Sequence, residues 1–273
     1  MNKKPIVAII QGRMSSSRLP GKVLKDLGGK PVLERVVARV RRSDLVEKVV
    51  VATTTDVSDD AIAAWCEKNG VDCFRGDLYD VLDRYYQTAK IYGAGTVVRV
   101  TADCPMIAAE LIDLAIERFL ERGADFAANR LPPPYERTTP IGMDTEVVSF
   151  EALQRAWREA REPFEREHVM PYFYETVGRF KVEVVDHTPN LGHLRFTVDT
   201  PADLDQARAV YAHFENHDDF SFEELIAASS EHPEWQEMVK AVTHKTFTDV
   251  DERNGMNERN SQAGCPLCSS TKF

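Results

Sequence analysis

The sequence predicts an α/β fold built on a Rossmann-like, mixed but mainly parallel sheet. The first half of the chain alternates short runs of β-branched and apolar residues with helix-like stretches, four times in succession. Gly70 and Gly93 stand where helices should end, and capping residues from Ser58 to Asp60 precede an apolar run. Successive strand and helix units of this kind imply parallel strands connected by helical crossovers.

Periodicity places the elements of the first half. Strands are predicted at 6–10, 46–52, 72–74 and 97–100, and helices near 31–42, 57–69, 78–91 and 107–121. Ligands of an open parallel sheet bind outside the carboxyl ends of its strands. The segments that follow those ends should therefore lie on one rim, namely 11–22, 53–56, 75–77 and 101–105.

From about Ala128 onward the pattern changes, and we expect the sheet to become mixed. A loop at 129–140 precedes predicted strands at 143–148, 180–186 and 193–198. Helices are predicted near 150–161, 165–176, 202–214, 221–229 and 233–243.

No linker or compositional break interrupts the chain before about residue 246, which predicts one domain at 1–246. Residues 249–264 are polar and asparagine-rich, so the tail 247–273 is predicted to be disordered. The tail carries Cys265 and Cys268, whose spacing supplies half of a tetrahedral zinc site. Another chain or further sequence would have to complete that site, or the pair binds no metal.

The composition limits the setting and the partners. The chain of 273 residues carries 34 Lys and Arg against 44 Asp and Glu, a net charge of −10, which disfavours a nucleic-acid surface. Its apolar runs are far too short to span a bilayer, and its five cysteines form no disulfide framework. We therefore expect a cytoplasmic protein with no membrane or nucleic-acid partner.

A basic loop after the first predicted strand is the strongest sign of a ligand. It reads Gln11-Gly-Arg-Met-Ser-Ser-Ser-Arg-Leu-Pro-Gly-Lys22, and residues 13 to 42 hold nine Lys or Arg against two acids. Backbone N–H groups and cations at a strand-to-helix turn cradle a polyphosphate, so we expect a nucleoside triphosphate. The alternative is a solvated loop with scattered charges. Neither GxxxxGK(S/T) nor GxGxxG is present, which disfavours P-loop NTPases and dinucleotide-dependent dehydrogenases.

Two aspartates stand where predicted strands end. Asp103 follows the strand at 97–100, and Asp199 follows the run at 194–198. Mg²⁺ takes few protein carboxylates and completes its shell with water or phosphate oxygens, so two aspartates and a nucleotide form a sensible site. The alternatives are a helix N-cap for Asp199, which precedes Thr-Pro, and a turn residue for Asp103.

The basic loop and four further segments together resemble one enzyme family. The four segments are Arg75-Gly-Asp77 with Asp80-Val-Leu-Asp-Arg-Tyr-Tyr86, Val98-Arg-Val-Thr-Ala-Asp-Cys-Pro105, Glu165-Arg-Glu-His-Val-Met-Pro-Tyr172 and Phe196-Thr-Val-Asp-Thr-Pro-Ala-Asp-Leu204. They resemble the cytidylyltransferases that make nucleotide sugars, in particular the spore coat polysaccharide biosynthesis, SpsF-like branch, related to acylneuraminate and CMP-KDO cytidylyltransferases. The resemblance covers roughly residues 5–245.

The resemblance implies a fold of the nucleotide-diphospho-sugar transferase (GT-A) type, CTP as substrate, and Mg²⁺ held by Asp103 and Asp199. In that family the second half supplies the acceptor site and commonly a dimerisation arm, so we expect a homodimer. Cations neutralise a leaving pyrophosphate, which assigns Arg13, Arg18 and Lys22 to the triphosphate. The expected catalytic residues are Arg13, Lys22, Asp103 and Asp199.

Further residues are predicted to contact the two substrates. Besides the loop residues Gln11 and Gly12, small polar groups at strand ends and one arginine are candidates for the nucleotide: Thr53, Thr54, Thr101 and Arg75. The acceptor, a sugar or small anionic molecule, is predicted to contact Asp144, Glu146, His168 and Arg195. For His168 the alternative is a structural hydrogen bond on a helix face. Where the family often has Gly-Leu-Asp-Val-Glu, this chain has Gly142-Met-Asp-Thr-Glu146, which leaves the acceptor open.

Two other functional classes compete with this interpretation. A glycosyltransferase of the same general fold usually carries an Asp-x-Asp metal pair, and no acidic cluster here lies at a suitable strand end. A catalytically inactive nucleotide-binding protein would keep the fold without needing a split metal pair, so the intact Arg13, Lys22, Asp103 and Asp199 disfavour it.

Overall fold

Seven strands form one mixed sheet in the computed structural model, which describes residues 4–243. The strands of this region, in chain order, are β1 (Ile6–Gln11), β2 (Asp26–Leu27), β3 (Lys30–Pro31), β4 (Lys48–Thr54), β5 (Asp72–Gly76), β6 (Thr96–Thr101), β7 (Phe126–Ala128), β8 (Glu146–Ser149) and β9 (Val182–Val184). The large sheet has the order β5-β4-β1-β6-β8-β7-β9, and β2 pairs with β3 in a separate antiparallel ribbon.

The sheet is parallel on one side and changes direction at β6. Strands β5, β4, β1 and β6 run parallel to one another, whereas β8 lies antiparallel to both β6 and β7, and β9 lies parallel to β7. The prediction of a mixed, mainly parallel sheet is therefore confirmed. Because the carboxyl ends of β4, β1 and β6 are adjacent, the loops that follow these strands meet at one rim.

Helices cover the sheet and connect its strands. In chain order they are α1 (Val32–Val40), α2 (Asp60–Lys68), α3 (Val81–Ile91), α4 (Ala109–Arg122), α5 (Phe150–Glu159), α6 (Pro163–His168), α7 (Pro171–Tyr174), α8 (Pro201–His213), α9 (Phe222–Glu231) and α10 (Glu234–Val239), with 3-10 turns at Lys22–Leu24 and Val57–Asp59. Within residues 4–243, no helix has the length and apolar character needed to cross a membrane.

Each face of the sheet has its own hydrophobic core. Along β1, Ile6, Ala8 and Ile10 belong to one buried cluster, whereas Val7 and Ile9 belong to the other. Successive side chains of a strand point to opposite faces, so a strand covered on both sides must be apolar throughout. This double burial explains why the first strands are continuous apolar runs and could be located from the sequence.

The second half departs from the predicted elements in several places. The predicted strand at 193–198 forms only one isolated parallel bridge, between Ile141 and Arg195, and the short strand β7 was not predicted. The predicted helix at 165–176 is divided into α6 and α7 because Val169 has a φ of 67°, which no α-helix contains. Some predictions fall outside the described residues. They are the end of the domain at residue 246, the tail 247–273 and the pair Cys265 and Cys268.

Candidate active site

The basic loop begins at a point where the main chains of three strands approach closely. The N–H of Gly12 donates to the carbonyl of Ala52 at 3.2 Å, and the N–H of Ala102 donates to the carbonyl of Gln11 at 2.8 Å. A Cβ on Gly12 would lie 2.8 Å from Cβ of Ala102, closer than two such atoms approach. Glycine is therefore required at position 12 for the loop to leave the sheet where it does.

A buried carboxylate holds the start of this loop. Asp59, which is 1% exposed, accepts hydrogen bonds from the N–H of Met14 at 2.7 Å and from the N–H and hydroxyl of Thr54 at 3.2 and 2.5 Å. The sequence pattern predicted a helix-capping role around Ser58 to Asp60, and the carboxylate of Asp59 instead connects the loop to the end of β4. Nothing in a single sequence distinguishes these two roles of an aspartate.

The far end of the loop carries the central interaction of the site. Nζ of Lys22 lies 2.6 Å from Oδ2 of Asp103 and 2.7 Å from Oδ1 of Asp199. Gly21, with a φ of 68°, makes the turn that directs Lys22 into the rim. Asp103 lies just past β6 and Asp199 just before α8, so residues from three distant parts of the chain meet at one ammonium group.

Main-chain contacts set the positions of the two aspartates. The carbonyl of Asp103 accepts a hydrogen bond from the N–H of Val198 at 2.7 Å and from the hydroxyl of Thr197 at 3.1 Å. The N-cap of α8 is Thr200, whose hydroxyl accepts from the N–H of Asp203. The helix therefore does not use Asp199 as its cap, and the Asp199 carboxylate faces the cations.

Two arginines complete the environment of Asp199. Nη2 of Arg18 and Nη2 of Arg195 each lie 3.1 Å from its Oδ2. Arg195 is 5% exposed and also binds the fully buried Asp203, with Nε 2.7 Å from Oδ1. The structure thus places Arg195 beneath Asp199 as a support, and its predicted contact with the acceptor stays a prediction.

The ion pairs keep the central groups charged. Burial pushes the pKa of Asp103 upward, but the attraction of Lys22 and its hydrogen bond outweigh this and lower the pKa to about 2. For Lys22, burial lowers the pKa, and the charges of Asp103 and Asp199 more than compensate, so the net shift is upward. At neutral pH Lys22 is therefore a cation and Asp103 an anion.

The residues predicted to contact the nucleotide lie on the same rim, and most of them already have protein partners. Thr54 bonds Asp59, Thr101 donates to Oδ1 of Asp103 at 2.6 Å, and Arg75 donates to the carbonyl of Thr54 at 2.8 Å. Arg75 also pairs with Asp60 at 2.7 Å. Oε1 of Gln11 accepts from Arg99 at 3.4 Å. Direct nucleotide contacts from these residues stay predictions.

The residues predicted for the acceptor form ion pairs that the sequence did not reveal. Arg99, in the middle of β6, pairs with Glu146 at the start of β8. Arg137 binds Asp144 through both of its Nη atoms, at 2.5 and 3.0 Å. Asp144 precedes β8, so the two acids do not share the single strand that we predicted. The sequence contained one sign of the pair with Glu146, because Arg99 is a charged residue inside an otherwise apolar strand.

His168 ends α6 and is half-buried near the same arginine. Burial lowers its pKa, Glu167 acts in the opposite direction, and the positive charge of Arg99 lowers it further. A neutral imidazole is therefore favoured at neutral pH, able to accept a proton or a hydrogen bond. His168, Arg99 and Glu146 occupy the part of the rim where the sheet changes direction.

The carboxylates fit a divalent cation. One oxygen of Asp103 and one of Asp199 converge on a single positive group, the arrangement a Mg²⁺ ion needs when the nucleotide and water supply its other ligands. Among residues 4–243, no group of three or more His, Cys, Asp or Glu side chains gathers at a site that could hold a metal ion. A metal held by Asp103 and Asp199 would therefore need ligands in addition to these two carboxylates.

A mixed, mainly parallel sheet that carries a basic loop and two converging aspartates at one rim is the arrangement expected of a nucleotidyltransferase. The family model described as Cytidylyltransferase matches residues 7–226, so the chain belongs to the cytidylyltransferase family. The spore coat polysaccharide biosynthesis protein SpsF of Bacillus subtilis is 33% identical over 236 residues, which cover 84% of this chain and 95% of SpsF.

Two solved structures show the same architecture. A cytidylyltransferase from Leptospira borgpetersenii is 32% identical, has a TM-score of 0.80, and is matched over 89% of this chain and 100% of its own. CMP:2-keto-3-deoxy-manno-octonic acid synthetase complexed with CTP has a TM-score of 0.58 at 20% identity, with 77% and 99% of the two chains covered. The second likeness concerns the fold alone.

Proposed function

We propose that the protein transfers the cytidylyl group of CTP to a sugar, a sugar acid or a phosphorylated small acceptor. An acceptor oxygen attacks the α-phosphorus, the bond from that phosphorus to the bridging oxygen of the β-phosphate breaks, and pyrophosphate leaves. A hydroxyl or carboxyl-sugar acceptor becomes a CMP conjugate, and a phosphate acceptor becomes a CDP conjugate. A hydroxyl acceptor also loses its proton to a base or to water.

The observation that carries this proposal is the meeting of Lys22, Asp103 and Asp199 at the end of the basic loop. In the proposed reaction the cations of the loop, Arg13, Arg18 and Lys22, bind the triphosphate and neutralise the charge that develops on the leaving pyrophosphate. Asp103 and Asp199 would hold Mg²⁺, which would supply further neutralisation at the phosphates. Arg195 and Asp203 keep Asp199 in place.

The acceptor is proposed to lie where the sheet changes direction, beside Arg99, Glu146 and His168. Among the relatives, the name of SpsF refers to the biosynthesis of a spore coat polysaccharide. This name supports a role in surface or spore coat polysaccharide biosynthesis and an acceptor of the sugar class. We further propose a sheet of the GT-A type, a cytoplasmic location and a homodimer, following the family resemblance.

The test is a pyrophosphate-release assay with each of the four nucleoside triphosphates, Mg²⁺ and a panel of sugar acids, sugar phosphates and small phosphates. We expect release with CTP only, and only with a subset of acceptors. Asp103→Asn and Asp199→Asn should each abolish Mg²⁺-dependent release while circular dichroism shows an intact fold. Equal use of ATP or GTP, or wild-type rates in both variants, would overturn the proposal.

A further inference from the structure

Three arginines of the described chain are almost completely inaccessible, and they differ in how their donors are satisfied. Arg35, Arg39 and Arg84 are each at most 1% exposed. Arg35 donates from Nε, Nη1 and Nη2 to the carbonyls of Leu27, Asn216 and Gly28 and pairs with Asp218. Nε and Nη1 of Arg39 donate to the carbonyls of Ile107, Asp218 and Phe220.

Arg84 is the exception among these three. Within residues 4–243, no atom accepts a hydrogen bond from its Nε or its Nη1, although both nitrogens are buried. Burial lowers its pKa, the neighbouring Tyr85 acts in the opposite direction, and the positive charge of Arg13 lowers it again. A buried cation with two unsatisfied donors is unfavourable, so the fold bears a cost at this position that Arg35 and Arg39 do not impose.

The unsatisfied arginine is located at the nucleotide rim. Arg84 lies in the first turn of α3, directly after the loop that follows β5, and a Cβ on Gly76 at the end of β5 would lie 3.2 Å from its Cγ. Its charged neighbours are Arg13 of the basic loop, Asp59 that holds this loop, and Asp77. The guanidinium group therefore lies behind the rim, between the phosphate loop and β5.

Native proteins seldom leave buried donors without acceptors, so each such donor indicates a missing partner, such as a ligand. Nε and Nη1 of Arg84 lie near Arg13 of the basic loop, where a bound nucleotide would supply acceptors.

We propose that Arg84 is a nucleotide-binding residue, whose N–H groups donate to lone pairs of bound CTP. This proposal rests on the proposed function and adds a residue to which no role had been assigned. Since Nε and Nη1 are covered in the free chain, the rim must rearrange around Arg84 when the nucleotide binds. Part of the binding free energy then comes from satisfying donors that the free protein leaves without acceptors.

The test compares Arg84→Met with Arg39→Met by calorimetric titration and thermal unfolding. Arg84→Met keeps an unbranched stem against Gly76 and removes the charge. We expect its CTP affinity to fall about tenfold or more, as for the loss of a hydrogen bond to a charged group. We expect its melting temperature without ligand to stay the same or rise, because an unsatisfied buried charge has been removed. Arg39→Met should melt earlier and keep its CTP affinity.

The outcomes separate this proposal from the proposed function. If the wild type binds no CTP, both fail. If the wild type binds CTP and Arg84→Met binds it equally well, or if Arg84→Met only melts earlier, Arg84 is structural and only this proposal fails. If Arg84→Met does not fold, Arg84→Lys replaces it in the test, because lysine keeps the charge and loses the planar set of donors. The proposal then requires that Arg84→Lys binds CTP more weakly and melts at the wild-type temperature. Titrations with CMP and cytidine show which part of the nucleotide accepts hydrogen bonds from Arg84. If that part is a phosphate, Arg84→Met leaves the affinity for cytidine unchanged. If it is the base or the ribose, the affinity for cytidine falls as well.

Discussion

Lys22 and Asp103 are 81 positions apart in the chain, and Nζ of Lys22 lies 2.6 Å from Oδ2 of Asp103. The pair connects the basic loop to the turn after β6. Since Asp199 binds the same nitrogen at 2.7 Å, one ammonium group holds two carboxylates that would otherwise repel each other. In the proposed reaction Lys22 therefore has two successive partners, the carboxylates of the free enzyme and the phosphates of the bound nucleotide.

Replacing Lys22 tests whether its charge acts on the transition state. Lys22→Ala should lower kcat by about 10²-fold, more than it weakens CTP binding, because its attraction grows as charge moves onto the leaving pyrophosphate. Lys22→Arg should restore activity only partly, since a planar fork replaces a compact charge. Steady-state kinetics with saturating acceptor measure both effects, with Lys25→Ala as a control near the wild type. A raised KM for CTP at unchanged kcat would show that Lys22 contributes only uniform binding.

The low pKa of Asp103 predicts how stability depends on pH. A carboxylate whose pKa falls from 3.8 to about 2 on folding stabilises the protein above the higher value, and this contribution is lost as the pH falls through the lower one. Urea unfolding of the wild type and Asp103→Asn should therefore differ by a constant free energy from neutral pH down to about pH 5. The difference should shrink as the pH falls further toward 2. A difference that does not depend on pH would contradict the ion pair.

Asp59 should affect nucleotide binding without touching the nucleotide. Asp59→Ala removes the acceptor for the N–H of Met14 and for Thr54, so we expect a stability loss of about 1–3 kcal/mol and weaker CTP binding through a less ordered loop. Asp113→Ala is a matched control, because Asp113 accepts from Ser43, Asp44 and Leu45 in a different loop. The control should lose stability and retain its affinity for CTP. Equal CTP affinities in the two variants would show that Asp59 does not contribute to nucleotide binding.

Substitutions of the residues proposed to bind the acceptor should change acceptor binding and leave nucleotide binding unchanged. Glu146→Gln weakens the pair with Arg99, and Arg137→Gln breaks the pair with Asp144. Once an acceptor has been found, we expect both variants to raise the KM for the acceptor and to leave the KM for CTP within about twofold, because only uniform acceptor binding is altered. Initial rates with each substrate varied in turn measure this. An increase confined to the KM for CTP would place these residues at the nucleotide instead.

The sequence was most informative where burial produces a simple pattern. The strands β1, β4 and β6 are buried on both faces and appear as apolar runs, and their order along the chain placed the loop and Asp103 on one rim. The segment at 194–198 misled because Leu194, Phe196 and Val198 are buried as in a strand, although only Arg195 forms a bridge. An extended chain that packs without a strand partner has the same alternation as a strand that has one.

The sequence predicted where charged residues lie in the fold better than it predicted which of them form ion pairs. The acceptor contact expected of Arg195 stays a prediction, and the sequence did not indicate that this arginine bonds Asp199 and Asp203, four and eight positions later. Asp203 itself belongs to a capping box with Thr200, a local pattern that the sequence does contain. Which arginine meets which acid depends on how separate segments pack, and spacing along the chain does not record that.

The hydrogen bond from the N–H of Val198 to the carbonyl of Asp103 is made by main chain alone. The side chain at position 198 is therefore not needed for this link between the two carboxylate-bearing segments, to which the hydroxyl of Thr197 adds a second bond at the same carbonyl. The spacing of Asp103 and Asp199 should tolerate substitutions at position 198 that fit the buried site and keep the main-chain N–H. Proline at position 198 is the substitution that this tolerance excludes, because proline has no N–H to donate.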